Sequence, residues 1–267
     1  TFDSALVNAD TSSRIKNASA VGRGRVLLNQ GNFAAAAAAV AGVPTAFRLQ
    51  SEHCFGSGCN ENGFYNAAMA PQSRYTPTTN EGINGLNFMP ATADPRLPWM
   101  TSTRAGFNSA VWTPQYMPVS LKPLRGGPNV LADGIEARLI EAEARLQGGT
   151  QADRDAVFGL LNALRTTGLT ASGTTGMAVI PGTAATTQAA AVDQLFRERA
   201  FWLYLTGHRL GDLRRLIRQY GRGSETVFPT GEQQAPISGT YGTDVNFPVP
   251  ASEKNNPNFT GCLDRKA

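Results

Sequence analysis

The sequence predicts a mainly α fold, in which helical hairpins are joined by long irregular loops. Three observations carry that expectation. Apolar residues recur at helical spacing from Ile15 to Gln30, from Asn129 to Arg165 and from Leu195 to Ile217. Glycine, asparagine or proline stands where each pattern stops, at Gly31-Asn32, Pro44, Gly148-Gly149 and Gly207. Between Arg48 and about Asn129 the helical pattern vanishes, yet aromatic residues persist. The chain reads as a single domain in four parts. Residues 1–47 hold a helical hairpin, 48–128 an aromatic-rich loop region, 129–220 a helical core, and 221–267 a loop with a Pro-rich C-terminal turn.

Taken in order, Ala18, Val21, Val26, Leu27 and Leu28 give the helix at Ile15–Gln30 its apolar face. An alanine run starts another at Phe33 and Pro44 stops it after Val43. Small residues such as Gly24 and Ala36 let the two approach closely, and Phe33 wedges the pair at its turn. A third helix is expected over Asn129–Leu146 on the stripe Leu131, Ile135, Leu139, Ile140 and Leu146, and a fourth over Gln151–Arg165. Glu136, Glu141 and Glu143 lie on the third with Arg138 and Arg145 among them, which reads as a helical face with local ion pairs. A glycosidase needs carboxylates on opposite sides of its substrate, which one helix face does not supply. Leu195, Phe196, Phe201, Trp202 and Leu205 mark the next helix; Gly207 breaks it, and His208–Arg218 resumes. Its Glu198, Arg209, Asp212 and Arg215 read as buried or half-buried ion pairs locking a helix pair.

The 81-residue span 48–128 is rich in Asn, Gly, Pro, Ser and Thr but carries Phe55, Phe64, Tyr65, Tyr75, Phe88, Trp99, Phe107, Trp112 and Tyr116. Disordered segments are poor in aromatics, so this one is expected to be ordered against the helices. Asp94-Pro95-Arg96 within it reads as a turn, with Asp94 accepting local amide bonds and Pro95 setting the backbone. Cys54 and Cys59 flank a glycine-bearing loop, Phe55-Gly56-Ser57-Gly58, that lets their ends meet in a disulfide, as suits an oxidising compartment. The competing reading is a metal site with His53, but zinc wants four ligands and the other Cys and His residues are far off in sequence. Cys262 is then left over.

Hydrophobic residues make up 41% of the 267 and charged ones only 16%, a balance that suits a secreted or surface protein with long loops. The formal charge of +4 is spread out, apart from a cluster at Arg209, Arg214, Arg215, Arg218 and Arg222. Leucines and Asp212 interrupt that cluster, which argues against a nucleic-acid stripe. No apolar run approaches a membrane span. Only two histidines occur, and no Gly-x-Ser-x-Gly elbow, Walker loop, His-Glu-x-x-His or dinucleotide fingerprint, so neither enzyme chemistry nor a cofactor is expected.

Several of these stretches also match known families. The hairpin with Gly24, Leu27, Gly31, Phe33 and Ala36 resembles one tetratricopeptide repeat, although Ala20 and Arg23 stand where that repeat has Trp and Leu. Glu198-Arg199, then Gly207, Arg209, Asp212, Leu213 and Arg214, then Phe247, Pro248, Pro250, Glu253, Asn256 and Pro257, resemble in order the C-terminal signature of the SusD/RagB family. Asp94-Pro95-Arg96, the Ala-Glu-Ala run at 137–144 and Leu161-Asn162-Ala163-Leu164-Arg165 match further elements of it. These are outer-membrane lipoproteins that capture glycans or other nutrients for a TonB-dependent transporter.

The resemblance implies a SusD-like α fold and a lipid-anchored protein on the outer face of a Gram-negative-type outer membrane, with a SusC-like transporter as partner. It covers the later part of such a protein. The chain opens at Thr1 without an initiator Met or leader, and a processed or truncated form is the expectation. Sugar capture calls for flat aromatic faces with hydrogen-bonding forks nearby. Trp99, Trp112, Tyr75 and Tyr116 are the candidate faces, and Asn87, Arg96 and Arg104 the polar partners for an oligosaccharide or other nutrient. Glu198, Arg209, Asp212, Pro248, Pro250, Glu253 and Asn256 are expected to be structural. The alternative is a helical-repeat interaction module, a structural subunit of an envelope assembly.

Overall fold

The structure is a computed structural model, and it describes residues 1–9, 12–54, 56–64, 78–92, 94–98, 126–170, 176–181, 187–233, 239–247 and 249–259. It is mainly helical, with a single two-stranded sheet among the described residues. In chain order the elements are α1 (Phe2–Asn8), α2 (Ser13–Asn29), α3 (Phe33–Val40), β1 (Arg48–Ser51), β2 (Asn129–Asp133), α4 (Gly134–Leu146), α5 (Gln151–Arg165), α6 (Gln188–Trp202), α7 (Arg209–Arg218), α8 (Ser224–Val227) and a 3₁₀ helix at Ala251–Asn255.

The four longest helices start where a side chain satisfies a free amide. Ser12 accepts from Ile15 at α2, Asp133 from Glu136 at α4 and Thr187 from Ala190 at α6. Thr150 and Asp153 cap α5 reciprocally. α2 ends in a Schellman turn: Gly31 takes φ 78°, and the amides of Asn32 and Gly31 donate to the carbonyls of Leu27 and Leu28.

α2 and α3 approach closely at Gly24, where an added Cβ would lie 2.5 Å from Val40 Cγ1. The expectation that Gly24 and Ala36 bring α2 and α3 together therefore holds. Phe33 is partly buried against the core that Val21, Leu28, Ala36, Val40, Ala137 and Ile140 form. α4 is the central element: it packs against α2, α3, α5, α6 and β2, and Ala137, Leu139, Ile140, Ala142 and Leu146 on it are wholly buried.

Several expectations need correcting. Residues 129–133, read as the first turn of a helix, form β2, antiparallel to β1, with Arg48 opposite Asp133 and Ser51 opposite Asn129. Leu131 made the stretch look helical. In fact it is the extra residue of a β-bulge between the pairs Leu49–Ala132 and Gln50–Val130, and it is exposed. α3 stops at Val40, short of Val43. Residues before a proline are pushed out of helical geometry, and Arg138 binds the carbonyls of Val40 and Val43 instead. α1 precedes the expected first hairpin, its Phe2 ring lying over Gly22 of α2.

The chain expected as one domain divides into two compact units. One comprises Thr1–Pro77 and Met89–Thr206, the other Thr78–Phe88 and Gly207–Ala267. In the second unit Asn84 is the tie. Its amide donates to the carbonyls of Glu225 and Phe228, and its oxygen accepts from both the amide and the hydroxyl of Thr230. The Pro-rich motif makes a local turn there: the 3₁₀ helix follows Pro250, and Asn256 bonds the Glu253 carboxylate. Pro248 and Cys262 lie outside the described residues.

A cavity on an ion-pair platform as candidate functional site

Sequence neighbours were poor guides to the ion pairs. Arg138–Glu141 is a local pair of the kind expected of α4. Glu136, buried, takes a two-pronged bond from Arg25 of α2, both contacts at 2.7 Å, and Glu143, also buried, pairs with Arg199 of α6 at 3.6 Å. The supposed Glu198–Arg209–Asp212–Arg215 cluster also resolves into separate pairs. Arg209 bonds Glu81 and Asp212 bonds Arg215, all within the second unit.

Glu198 belongs to the first unit and is fully buried. It receives Arg96 Nη1 at 2.7 Å and Arg165 through Nη2 and Nε, with Gln194 one helical turn away adding a weaker bond at 3.3 Å. Arg96 spends its remaining nitrogens on Asp94: Nη2 meets Oδ2 at 2.7 Å and Nε meets Oδ1 at 2.9 Å. Its guanidinium also lies 5.0 Å from the Phe201 ring centre and 5.4 Å from that of Trp202. Burial alone would raise the Asp94 carboxyl, but the bonds and charge of Arg96 outweigh it and hold the group below its ordinary value. Burial likewise opposes the Arg96 charge, and the two carboxylates overcome it. The Asp94 turn is as expected, since Asp94 Oδ1 accepts the Arg96 amide at 2.9 Å.

This platform forms one side of a cavity of about 210 Å³. Arg96, Leu97, Phe201 and Trp202 contribute from the platform, and Tyr204, Leu205 and Thr206 from the turn after α6. Arg48 and Gln50 contribute from β1. Two residues apart on a strand, they share a face. Asn129 and Val130 line it from β2, and Phe64 from the following loop region. Leu205 holds φ 61°, a left-handed geometry that costs a non-glycine residue about 1–2 kcal/mol. Behind the wall, Asn62 donates to Asn129 Oδ1 at 2.9 Å, and the Asn129 amide meets His53 Nε2 at 3.0 Å. The disulfide Cys54–Cys59 is formed beside them, as expected from the sequence.

The cavity offers polar groups without protein partners. Neither the Arg48 guanidinium nor the Gln50 amide bonds any group among the described residues, and the buried indole N–H of Trp202 meets no acceptor among them. Asp133, also in the lining, is engaged: its Oδ1 accepts the Glu136 amide at 2.8 Å. Such a site can receive an acceptor-rich ring against an aromatic wall. At about 30 Å³ per liquid water the space holds some seven waters, and it is smaller than the roughly 300–1,000 Å³ of drug-sized pockets. The space is of about the size of one ring.

Of the expected ligand residues, Arg96 lines the cavity, but all three of its nitrogens are taken by carboxylates. It is part of the platform, not the open fork expected. Asn87 is exposed in the second unit. Tyr75, Trp99, Arg104, Trp112 and Tyr116 lie outside the described residues. Sequence reasoning missed Arg48, Gln50, Trp202 and Tyr204 as lining residues; Trp202 was read only as a packed helix residue. No group of three or more His, Cys, Asp or Glu side chains able to hold a metal ion occurs among the described residues, and none of their helices is long and apolar enough to cross a membrane. No family model, curated protein or solved structure matches the chain.

Glu198→Ala leaves buried guanidinium charge uncompensated and is expected to cost about 3–5 kcal/mol. Urea unfolding reads this as a lower midpoint at unchanged slope; a loss below about 1 kcal/mol would show that the platform does not hold the fold. Asp94 also predicts a pH dependence. Its folded pKa lies below the unfolded value, so its contribution is complete above about pH 4 and is lost as pH falls through the folded value. Asp94→Asn should therefore be less stable than wild type at neutral pH, with the gap closing below about pH 4. Unfolding midpoints measured from pH 7 to pH 2 check it.

Proposed function

We infer that the chain is a non-enzymatic capture protein for a glycan or similar nutrient, of the SusD/RagB-like kind, handing its ligand to a TonB-dependent outer-membrane transporter. The single observation that carries ligand capture is the cavity itself. The rings of Trp202, Tyr204 and Phe64 and the hydrogen-bonding groups of Arg48 and Gln50 line one space of about the size of a ring. Sugar rings present apolar C–H faces and a rim of hydroxyls, and this lining has a counterpart for both.

The assignment to that family, and with it the transporter, the lipid anchor and the outer-membrane surface, rests on the ordered sequence motifs. Two features are compatible with tetratricopeptide-like hairpins as its scaffold: the close approach of α2 and α3 at Gly24, and the stacking of α3 and α5 on α4. A capture protein also needs a site that keeps its shape when empty, and the Glu198 ion pairs serve that need.

The test is isothermal titration against a panel of soluble oligo- and polysaccharides, with Trp202→Ala, Trp99→Ala and Trp112→Ala beside the wild type. Binding of at least one glycan is expected. Loss of the Trp202 face should weaken it by about 1–3 kcal/mol if sugars stack as other planar-faced ligands do, while circular dichroism shows the fold retained. Weakening by Trp99→Ala or Trp112→Ala with none from Trp202→Ala would show that the Trp202 face is not the platform. No binding across the panel would overturn capture and favour the interaction-module reading.

A further inference from the structure

Building on the capture reading, we propose that the cavity selects an acidic sugar, a ring bearing a carboxylate, with that carboxylate held by Arg48 at the mouth. The argument is an inventory of what the lining leaves unused. Arg48 is exposed, lines the cavity, and has neither an ion pair nor a hydrogen bond among the described residues. Of the other charged groups in the lining, Arg96 is bound by two carboxylates and Asp133 caps α4. Asp133 stands at the N-terminus of that helix, where the positive end of the helix dipole offsets its charge. The uncommitted charge facing the space is therefore a guanidinium.

Two more uncommitted groups face the same way in character. The buried Trp202 N–H is a donor only, and the Gln50 amide carries two further donor hydrogens. A buried donor left without an acceptor is costly, so a ligand that brings acceptors recovers what the empty site forgoes. A neutral sugar hydroxyl meets this demand in part. A carboxylate meets it better, being acceptor-only and planar, matched to the two-pronged geometry of a guanidinium. Arg48 and Gln50 stand on one face of β1, two residues apart, so a ring lying along the strand can reach both. The aromatic side chains then take the apolar face of the same ring.

The test compares trimers of galacturonic or glucuronic acid with their neutral galactose or glucose counterparts, the methyl esters of the acidic trimers, and a sulfated trimer, on the full chain by titration calorimetry. The acidic trimers should bind roughly tenfold or more tighter than the neutral ones, and the preference should vanish in the methyl esters. Arg48→Gln should abolish the preference, weakening acidic binding more than neutral binding, with the unfolding midpoint unchanged. Trp202→Phe, which keeps a ring but removes the N–H, should weaken both series. Equal binding of acidic and neutral trimers, or an acid preference that survives Arg48→Gln, would overturn the proposal while leaving glycan capture standing. Preference for the sulfated trimer over the carboxylated ones would overturn the carboxylate assignment. Absence of binding by every trimer would remove capture and this proposal together.

Discussion

Glu198 is fully buried, and a loop, α5 and α6 of the first unit meet around it. An ionised carboxylate is tolerated inside a protein only with opposite charge and hydrogen bonds in good geometry. Two arginines from distant stretches, Arg96 and Arg165, supply both, and Arg96 in turn needs Asp94 and the rings of Phe201 and Trp202. Satisfying one buried charge thus ties a loop, α5 and α6 into a fixed relation. Replacing such a network by apolar residues can be neutral in stability, so its value here is in geometry.

That geometry bears on the cavity. Arg96, which binds Glu198, and the rings of Phe201 and Trp202 beside it form its platform side, so Arg96 cannot shift without breaking ion pairs. The opposite side depends on a short sheet in which Arg48 and Gln50 share one face of β1. The turn that follows Trp202 keeps Leu205 in a left-handed conformation. Strain of that kind persists only where the surroundings over-determine it, and it gathers at functional sites. Rigidity on one side and strain on the other are what a preformed binding site requires.

The helices were legible because their signals are local. The Gly31-Asn32 and Gly148-Gly149 turns and apolar residues three and four apart all lie within one or two turns of each other. The small residues of α2 and α3 likewise announced their close packing. What stayed hidden was non-local. Residues 129–133 look like a helix start until β1, some eighty residues earlier, is there to pair with them. Glu136 has Arg138 and Arg145 nearby in sequence, yet its partner is Arg25 on another helix. The cavity was invisible for the same reason, since its lining comes from several separated segments. Trp202 carries an ordinary helical pattern, and only its place beside Arg96 distinguishes it. The aromatic-rich span drew the eye instead because its composition is local information.

The central claim is that the space between the β1–β2 sheet and the Glu198 platform receives one sugar ring. A crystal of the protein grown or soaked with an acidic oligosaccharide addresses it most directly. The account predicts electron density for a ring against Trp202 and Tyr204, its carboxylate within hydrogen-bonding distance of Arg48, and the Glu198 ion pairs unmoved. Density for the sugar on any other surface, with the cavity holding only solvent, would contradict it.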